Sequence, residues 1–338
     1  MTIKDIARLS GFSVGTVSRV LNNHPDVSDD TREKVMAVVR EHDFQPNTNA
    51  KHLKMQAKSS IAIMVKGTNN MLFADILEKA QSLLMENGEE AVIAYLDEDA
   101  NEVEHAIRLT RERRPKGLMF LGGDLEYFRE SFDRISLPSV LLTHNASELG
   151  FPNLSSLTTD DTAAASKVID YLVSQGHKSI GVLGGNPSNS QISHSRIVGC
   201  ASSFEKNSLD FDPDKQCEPC RFSMADGYSA AKRLIAKNPD VTAIFALSDV
   251  IAIGAIRALQ DLGRQVPEDI SVVGYDGVPL SRYSVPRLTT VRQDASFMAK
   301  RGVEMLLHRI HNKRPAVHEI VPFQLVHGES VDRTEKIT

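Results

Sequence analysis

From residue 60 onward, short aliphatic runs alternate with longer amphipathic segments, and this alternation constrains the fold more than any other feature of the chain. The runs "SIAIMV", "EAVIAYL", "GLMFLG" and "SVLLT" are separated by helix-like stretches such as "FADILEKAQSLLMENG" and "EVEHAIRLTRER". The pattern then repeats through "TAAASKVIDYLVSQG", "SIGVLGG", "SRIVGCASSFEKN", "GYSAAKRLIAKN", "AIFALS", "IAIGAIRALQDLG" and "ISVVGYD". Continuous apolar runs suit strands buried on both faces, and the interposed helices make those strands parallel. Two successive doubly wound α/β lobes of about 100–130 residues each are expected. Open parallel sheets take ligands at the carboxyl ends of their strands, so candidate site residues lie just after strands.

The first 45 residues follow a different pattern. Ile3, Ile6 and Ala7 recur at helical spacing until Gly11. Ser13 is placed to cap a second helix with Val17, Val20 and Leu21 inward. Ser28 is placed to cap a third, with Asp29 and Asp30 at its positive end and Val35, Val38 and Val39 inward. A helix, a tight turn and a second helix give helix-turn-helix spacing. On the second helix, Val14 and Gly15 are small enough to sit deep in a major groove, and Arg19 can bond a guanine edge. Thr16 and Ser18 suit phosphate contacts. Residues 1–58 hold nine Lys and Arg against seven Asp and Glu, whereas the whole 338-residue chain is −5. The head is thus cationic beside an acidic body, which fits a nucleic-acid partner. Residues 44–60 are polar and read as a linker with one short hinge helix.

Other function classes find little support. There is no run long enough to span a membrane and no signal-peptide h-region, so a cytoplasmic location without a membrane partner is expected. "GFSVG" has nucleophile-elbow spacing but lies between two helices. "CEPC" at Cys217–Cys220 lacks a second ligand pair, so no metal is expected. No catalytic constellation or cofactor motif is found, and the chain is read as neither an enzyme nor a cofactor protein.

The head segment "TIKDIARLSGFSVGTVSRVLNNHPDVSDDTREKVMAVVREHDFQPN" resembles the N-terminal signature of the LacI/GalR family. "GHKSIGVLGG", "FALSDVIAIGAIRAL", "GRQVPEDISVVGYDGVPL", "PRLTTVRQD" and "HGES" follow in that family's order. The resemblance implies lobes of periplasmic-binding-protein type. It implies boundaries at 1–46 for the head, 47–58 for the hinge, 59–160 with 290–320 for one lobe, and 161–289 with 321–338 for the other. It implies a homodimeric repressor of a palindromic double-stranded operator, controlled by a small effector of sugar type. A docked phosphocarrier protein or a nucleoside is the alternative controller, and a sugar-binding protein without a regulatory role is the less favoured one. Expected DNA contacts are Thr2, Ser13, Val14, Gly15, Thr16, Ser18, Arg19, Asn22, Ala50, Leu53 and Lys54, with Leu53 as a minor-groove wedge. Expected effector contacts are Asn70, Phe73, Arg196, Phe222, Ser248, Asp276 and Gln293. The loop "TNNMLFAD" keeps only Phe73 of the family's usual aromatic wall, Ser248 stands where Asn is common, and Gly328 where Arg is common. Asp249 can be read as a helix cap.

Overall fold

The computed structural model describes residues 3–21, 26–42, 60–185, 191–312 and 314–334. The chain divides into two compact units, residues 1–58 and 59–338.

In the first unit, α1 (Ile3–Ser10), α2 (Val14–Leu21) and α3 (Asp29–Glu41) pack around Ile6, Ala7, Val17, Val20, Val35 and Val39. Gly11 takes φ +74 between α1 and α2, a conformation that L side chains resist, and so permits the tight turn. The Ser13 hydroxyl accepts the Thr16 N–H at 3.1 Å, and the Ser28 hydroxyl accepts that of Thr31. Each satisfies a helix-end donor that would otherwise lack a partner. Val38 is only partly buried, at the margin of this kernel.

The second unit is built on two sheets, each six-stranded among the described residues. The first uses β1 (Ser60–Lys66), β2 (Glu90–Leu96), β3 (Gly117–Leu121), β4 (Ser139–Leu142), β5 (Leu154–Thr159) and β11 (His318–Val321), in the order β11-β5-β4-β3-β1-β2. All its pairings are parallel. Helices α4 (Met71–Glu86) and α11 (Ala295–Asn312) cover one face, with Ile76, Leu84, Met298 and Leu306 buried there. Helices α5 (Glu102–Arg113) and α6 (Leu125–Ser131) cover the other, over Phe120, Phe128 and Phe132.

The second sheet runs β12-β10-β9-β8-β6-β7. Its strands are β6 (Ile180–Leu183), β7 (Cys217–Glu218), β8 (Ala243–Ala246), β9 (Ser271–Asp276), β10 (Thr289–Arg292) and β12 (Gln324–Val326). Only β12 pairs antiparallel within it. Helices α7 (Asp161–Ser174) and α8 (Gln191–Lys206) pack on one face, and α9 (Met224–Lys237) and α10 (Asp249–Asp261) on the other. The doubly wound architecture expected from the alternation is therefore found in both lobes.

The chain crosses between the lobes after β5, β10 and β11. The second crossing differs from the sequence-based boundary at residue 290. Thr289–Arg292 pairs with β9 in full register and so stays with the second lobe, which moves the crossing to Gln293–Asp294. Val321 likewise closes the first sheet through Thr159. An apolar run such as "LTTV" shows a strand but not its neighbour, because pairing is a long-range choice. Among the described residues, no helix is long and apolar enough to cross a membrane.

Candidate functional site

Loops after β1, β2, β3 and β4 face loops after β6, β7 and β9 across a cleft of about 600 Å³. This is the volume range of small-molecule sites. On the second-lobe wall, Asp276 ends β9 with φ +107, a strained backbone for a non-glycine residue. Its carboxylate accepts from Ser248 Oγ at 2.8 Å and from Gln293 Nε2 at 2.9 Å. Gln293 Oε1 in turn accepts the Thr159 hydroxyl at 2.9 Å. This relay fixes which atoms Asp276 can offer a ligand. Burial pushes its carboxyl up to about 6, opposed by Arg196 and by the two hydrogen bonds.

Arg196 lies on the same wall, 3% exposed. Its Nε donates to Asp161 Oδ1 at 2.8 Å, one terminal nitrogen donates to the Leu247 carbonyl, and the guanidinium stacks 3.7 Å from the Tyr275 ring centroid. The Tyr275 hydroxyl closes the triangle on Asp161 at 2.9 Å. These contacts hold the guanidinium in place where it lines the cleft.

The expected effector residues divide accordingly. Arg196, Phe222, Asp276 and Gln293 line the cleft together. Asn70 and Phe73 line it too, but both also serve the fold. The Asn70 carboxamide oxygen accepts from Leu72 N and Phe73 N as the cap of α4, and Phe73 is buried over Gly122. Ser248 is a correction, since it lies behind the wall and orients Asp276 instead of lining the cleft. Asp249 is a second correction. Its carboxyl turns away from the start of α10 and accepts from Val278 N and Thr290 Oγ1 at 2.8 and 2.5 Å. It thereby ties the strained loop after β9 to β10, and burial beside Asp276 drives its pKa upward. Gly328 also finds a reason, because a Cβ there would lie 2.4 Å from the Arg287 carbonyl oxygen.

Sequence reasoning named Asn70 and Phe73 on the first-lobe wall but missed the rest of it. Thr143 and His144 directly follow β4, both buried and both cleft-lining. Thr143 takes φ +75, and its hydroxyl has no hydrogen-bond partner among the described residues. Burial, with Lys66 and Arg196 nearby, holds the His144 imidazole neutral, pushed down to about 3. Applied strand by strand, the carboxyl-end rule finds both residues. Lys66, at the end of β1, is bound to buried Glu102 at 2.7 Å and lies 4.8 Å from the Tyr127 ring centroid. Glu102 also accepts from Asp124 N at 2.6 Å, and burial raises its pKa against the pull of Lys66. Asp161 follows β5 by the same logic.

In the head, Ser13 just before α2 and Val14, Gly15 and Arg19 on it are exposed, while Thr16 and Ser18 are half-buried. The Thr16 and Ser13 hydroxyls lie 2.9 Å apart, so the cap engages part of their bonding capacity. Thr2, Asn22, Ala50, Leu53 and Lys54 lie outside the described residues. So does the hinge at 47–58. Cys217 and Cys220 have thiols that burial pushes up to about 12, which leaves them protonated and poor ligands or nucleophiles.

A family profile described as bacterial regulatory proteins of the lacI family matches residues 2–47, and a periplasmic binding protein-like domain profile matches residues 169–331. The HTH-type transcriptional regulator MalR of Clostridium butyricum is 37% identical over 333 residues, covering 98% of this chain and 99% of its own. The ribose operon repressor of Haemophilus influenzae is 32% identical over 311 residues, 92% of each. Among solved structures, a complex of the transcriptional regulator CelR with cellobiose superposes with TM-score 0.71 at 26% identity, over 98% of this chain and 99% of that one. A lac repressor dimer bound to operator and the anti-inducer ONPF gives 0.75 at 24% identity over the same shares, a likeness of fold. From the helix-turn-helix head and the near full-length likeness to MalR, the chain belongs to the LacI family of bacterial regulatory proteins and is a DNA-binding transcriptional regulator, not an enzyme.

Proposed function

We propose that this regulator is a repressor that reads a palindromic operator as a homodimer and changes its operator affinity when an uncharged sugar fills the interlobe cleft. The pairing of charges in the cleft carries the sugar reading. Lys66 is engaged by Glu102, Arg196 by Asp161, and Arg221 by Asp97 and Glu98. Each lining cation among the described residues thus already faces a carboxylate, while Asp124, Asp226 and Asp276 add negative charge to the walls. Among the described residues, a phosphate would meet this excess of carboxylates without an unpaired cation to offset its desolvation. A neutral polyol suits the same walls. Asp276 accepts from hydroxyls, Arg196 donates to them, Thr143 and neutral His144 offer unspent polar atoms, and Phe222 supplies an apolar face. The cellobiose in the CelR complex is a ligand of this chemistry.

On the DNA side, Arg19, Val14 and Gly15 face the base edges, with Ser13, Thr16, Ser18, Thr2, Asn22 and Lys54 on phosphates. Leu53 enters the minor groove, and Ala50 lets the paired hinge helices approach. Effector and operator then influence each other reciprocally. Thermal-shift measurements with cellobiose, ribose, their phosphate esters and purine nucleosides test the effector class. A ligand at about 100 times its dissociation constant stabilises by about 2.7 kcal/mol. Stabilisation by a phosphate ester, with none by any neutral sugar, refutes the reading. Leu53→Ala should weaken operator binding about tenfold or more without changing effector affinity.

A further inference from the structure

The loops after β2 and β7 belong to different lobes, yet they are joined by side chains. Arg221 Nη2 lies 2.6 Å from Asp97 Oδ1 and 3.7 Å from Asp99 Oδ2, and its Nε lies 2.6 Å from Glu98 Oε1. The other Glu98 oxygen accepts the Phe222 N–H at 3.3 Å. One guanidinium therefore meets three consecutive carboxylates of the opposite lobe, and the next residue's backbone completes the junction.

The placement of this junction gives it leverage. In the first sheet the crossings leave from β5 and β11, at one end of the strand order, and β2 is the edge strand at the other end. In the second sheet β10 and β12 carry two of the crossings, the first one arriving through α7 and β6, and β7 is the edge strand opposite β12. The joined loops thus follow the edge strands opposite β11 and β12, where a rotation of one lobe about the crossings at β10, β11 and β12 separates them widely. They also line the mouth of the cleft. A contact at the hinge would hardly sense opening, whereas one here must break for the cleft to open.

We propose that Arg221 with Asp97, Glu98 and Asp99 is an ionic latch that holds the two lobes closed, and that it seats the Phe222 ring over the cleft through the bond from Phe222 N to Glu98. The latch does not depend on which ligand enters. It rests on the effector reading only for its consequence, which is to lengthen the residence of whatever the cleft encloses. All four side chains are partly solvent-exposed, so the latch weakens as salt screens it.

Hydrogen exchange of the full-length protein, read by mass spectrometry without any effector, tests the latch separately from the sugar reading. Arg221→Glu should raise exchange about five-fold in peptides spanning both 97–101 and 219–224, the scale of one exposed ion-pair network. Adding Asp97→Lys and Glu98→Lys to Arg221→Glu should restore protection in both, because the charges are exchanged and the junction is kept. In the parent, 1 M NaCl should raise exchange in both loops, and in Arg221→Ala it should not. Unchanged exchange in Arg221→Glu overturns the latch. So does a rise confined to 219–224, or a charge-swapped protein as exposed as the single variant.

Discussion

Two residues in the cleft wall bind protons in opposite senses, and the difference can be measured. His144 is held neutral in the fold, pushed down to about 3, whereas in the unfolded chain it titrates near 6.5. As pH falls below about 6.5 the unfolded chain takes up a proton that the fold refuses. Stability is therefore lost between about pH 6.5 and 3, by about 2 kcal/mol at pH 5. Asp276 has its folded pKa raised to about 6 from 3.8. It costs stability above pH 6, and that cost disappears as pH falls toward 4. Urea midpoints at pH 7 and pH 5 should show His144→Gln with a flatter acid loss than the parent and Asp276→Asn with a steeper one. Matching slopes in all three proteins would refute this assignment. Arg196→Ala leaves Asp161 buried without its partner and should lower stability by about 3–5 kcal/mol in urea unfolding. A loss of effector response in that variant is informative only beside its unfolding curve, and a near-neutral result contradicts the pairing described.

At the scale of elements, local pattern and local chemistry were legible. The Ser28 cap, the turn at Gly11 and the apolar faces of α1 to α3 follow from spacing alone. Ser28→Ala should cost about 1 kcal/mol, seen as a lower melting point of the head. Helix pairing was not legible, because no single helix states which face meets which partner. Helices α9 and α10 cross at Gly227 and Gly254. A Cβ on Gly254 would lie 2.0 Å from the Met224 carbonyl oxygen, and one on Gly227 would lie 2.5 Å from that of Ile251. Gly254→Ala, normally favourable in a helix, should instead destabilise by about 1–3 kcal/mol in denaturant unfolding. An unchanged or raised midpoint would show that the crossing can relax. Asp249 teaches the same point, since its position at the start of α10 suggests a cap and only the folded β9–β10 neighbourhood turns it toward Val278 and Thr290.

For the whole molecule, recognition by the head and sensing by the body are separable in experiment. Arg19→Ala should cost about 1–3 kcal/mol in operator binding and relax base preference at its contact, while leaving ligand-induced thermal shifts intact. Retained specificity in a titration against operator variants would remove Arg19 from the base-reading set. The sequence by itself determined the helix-turn-helix head, the two parallel-sheet lobes and the family, because each rests on periodicity or on motifs contiguous in the chain. The family resemblance also pointed to Arg196, Asp276 and Gln293, which the fold places along one cleft. Only the tertiary structure decided that Ser248 supports Asp276 from behind, that Thr143 and His144 complete the facing wall, and that β10 belongs to the second lobe. It alone brought Arg221 to Asp97 and Glu98, more than 120 positions away. The physical reason is that burial, hydrogen-bond partners and charge pairing are properties of neighbours in space. A linear chain encodes those neighbours only through the complete fold.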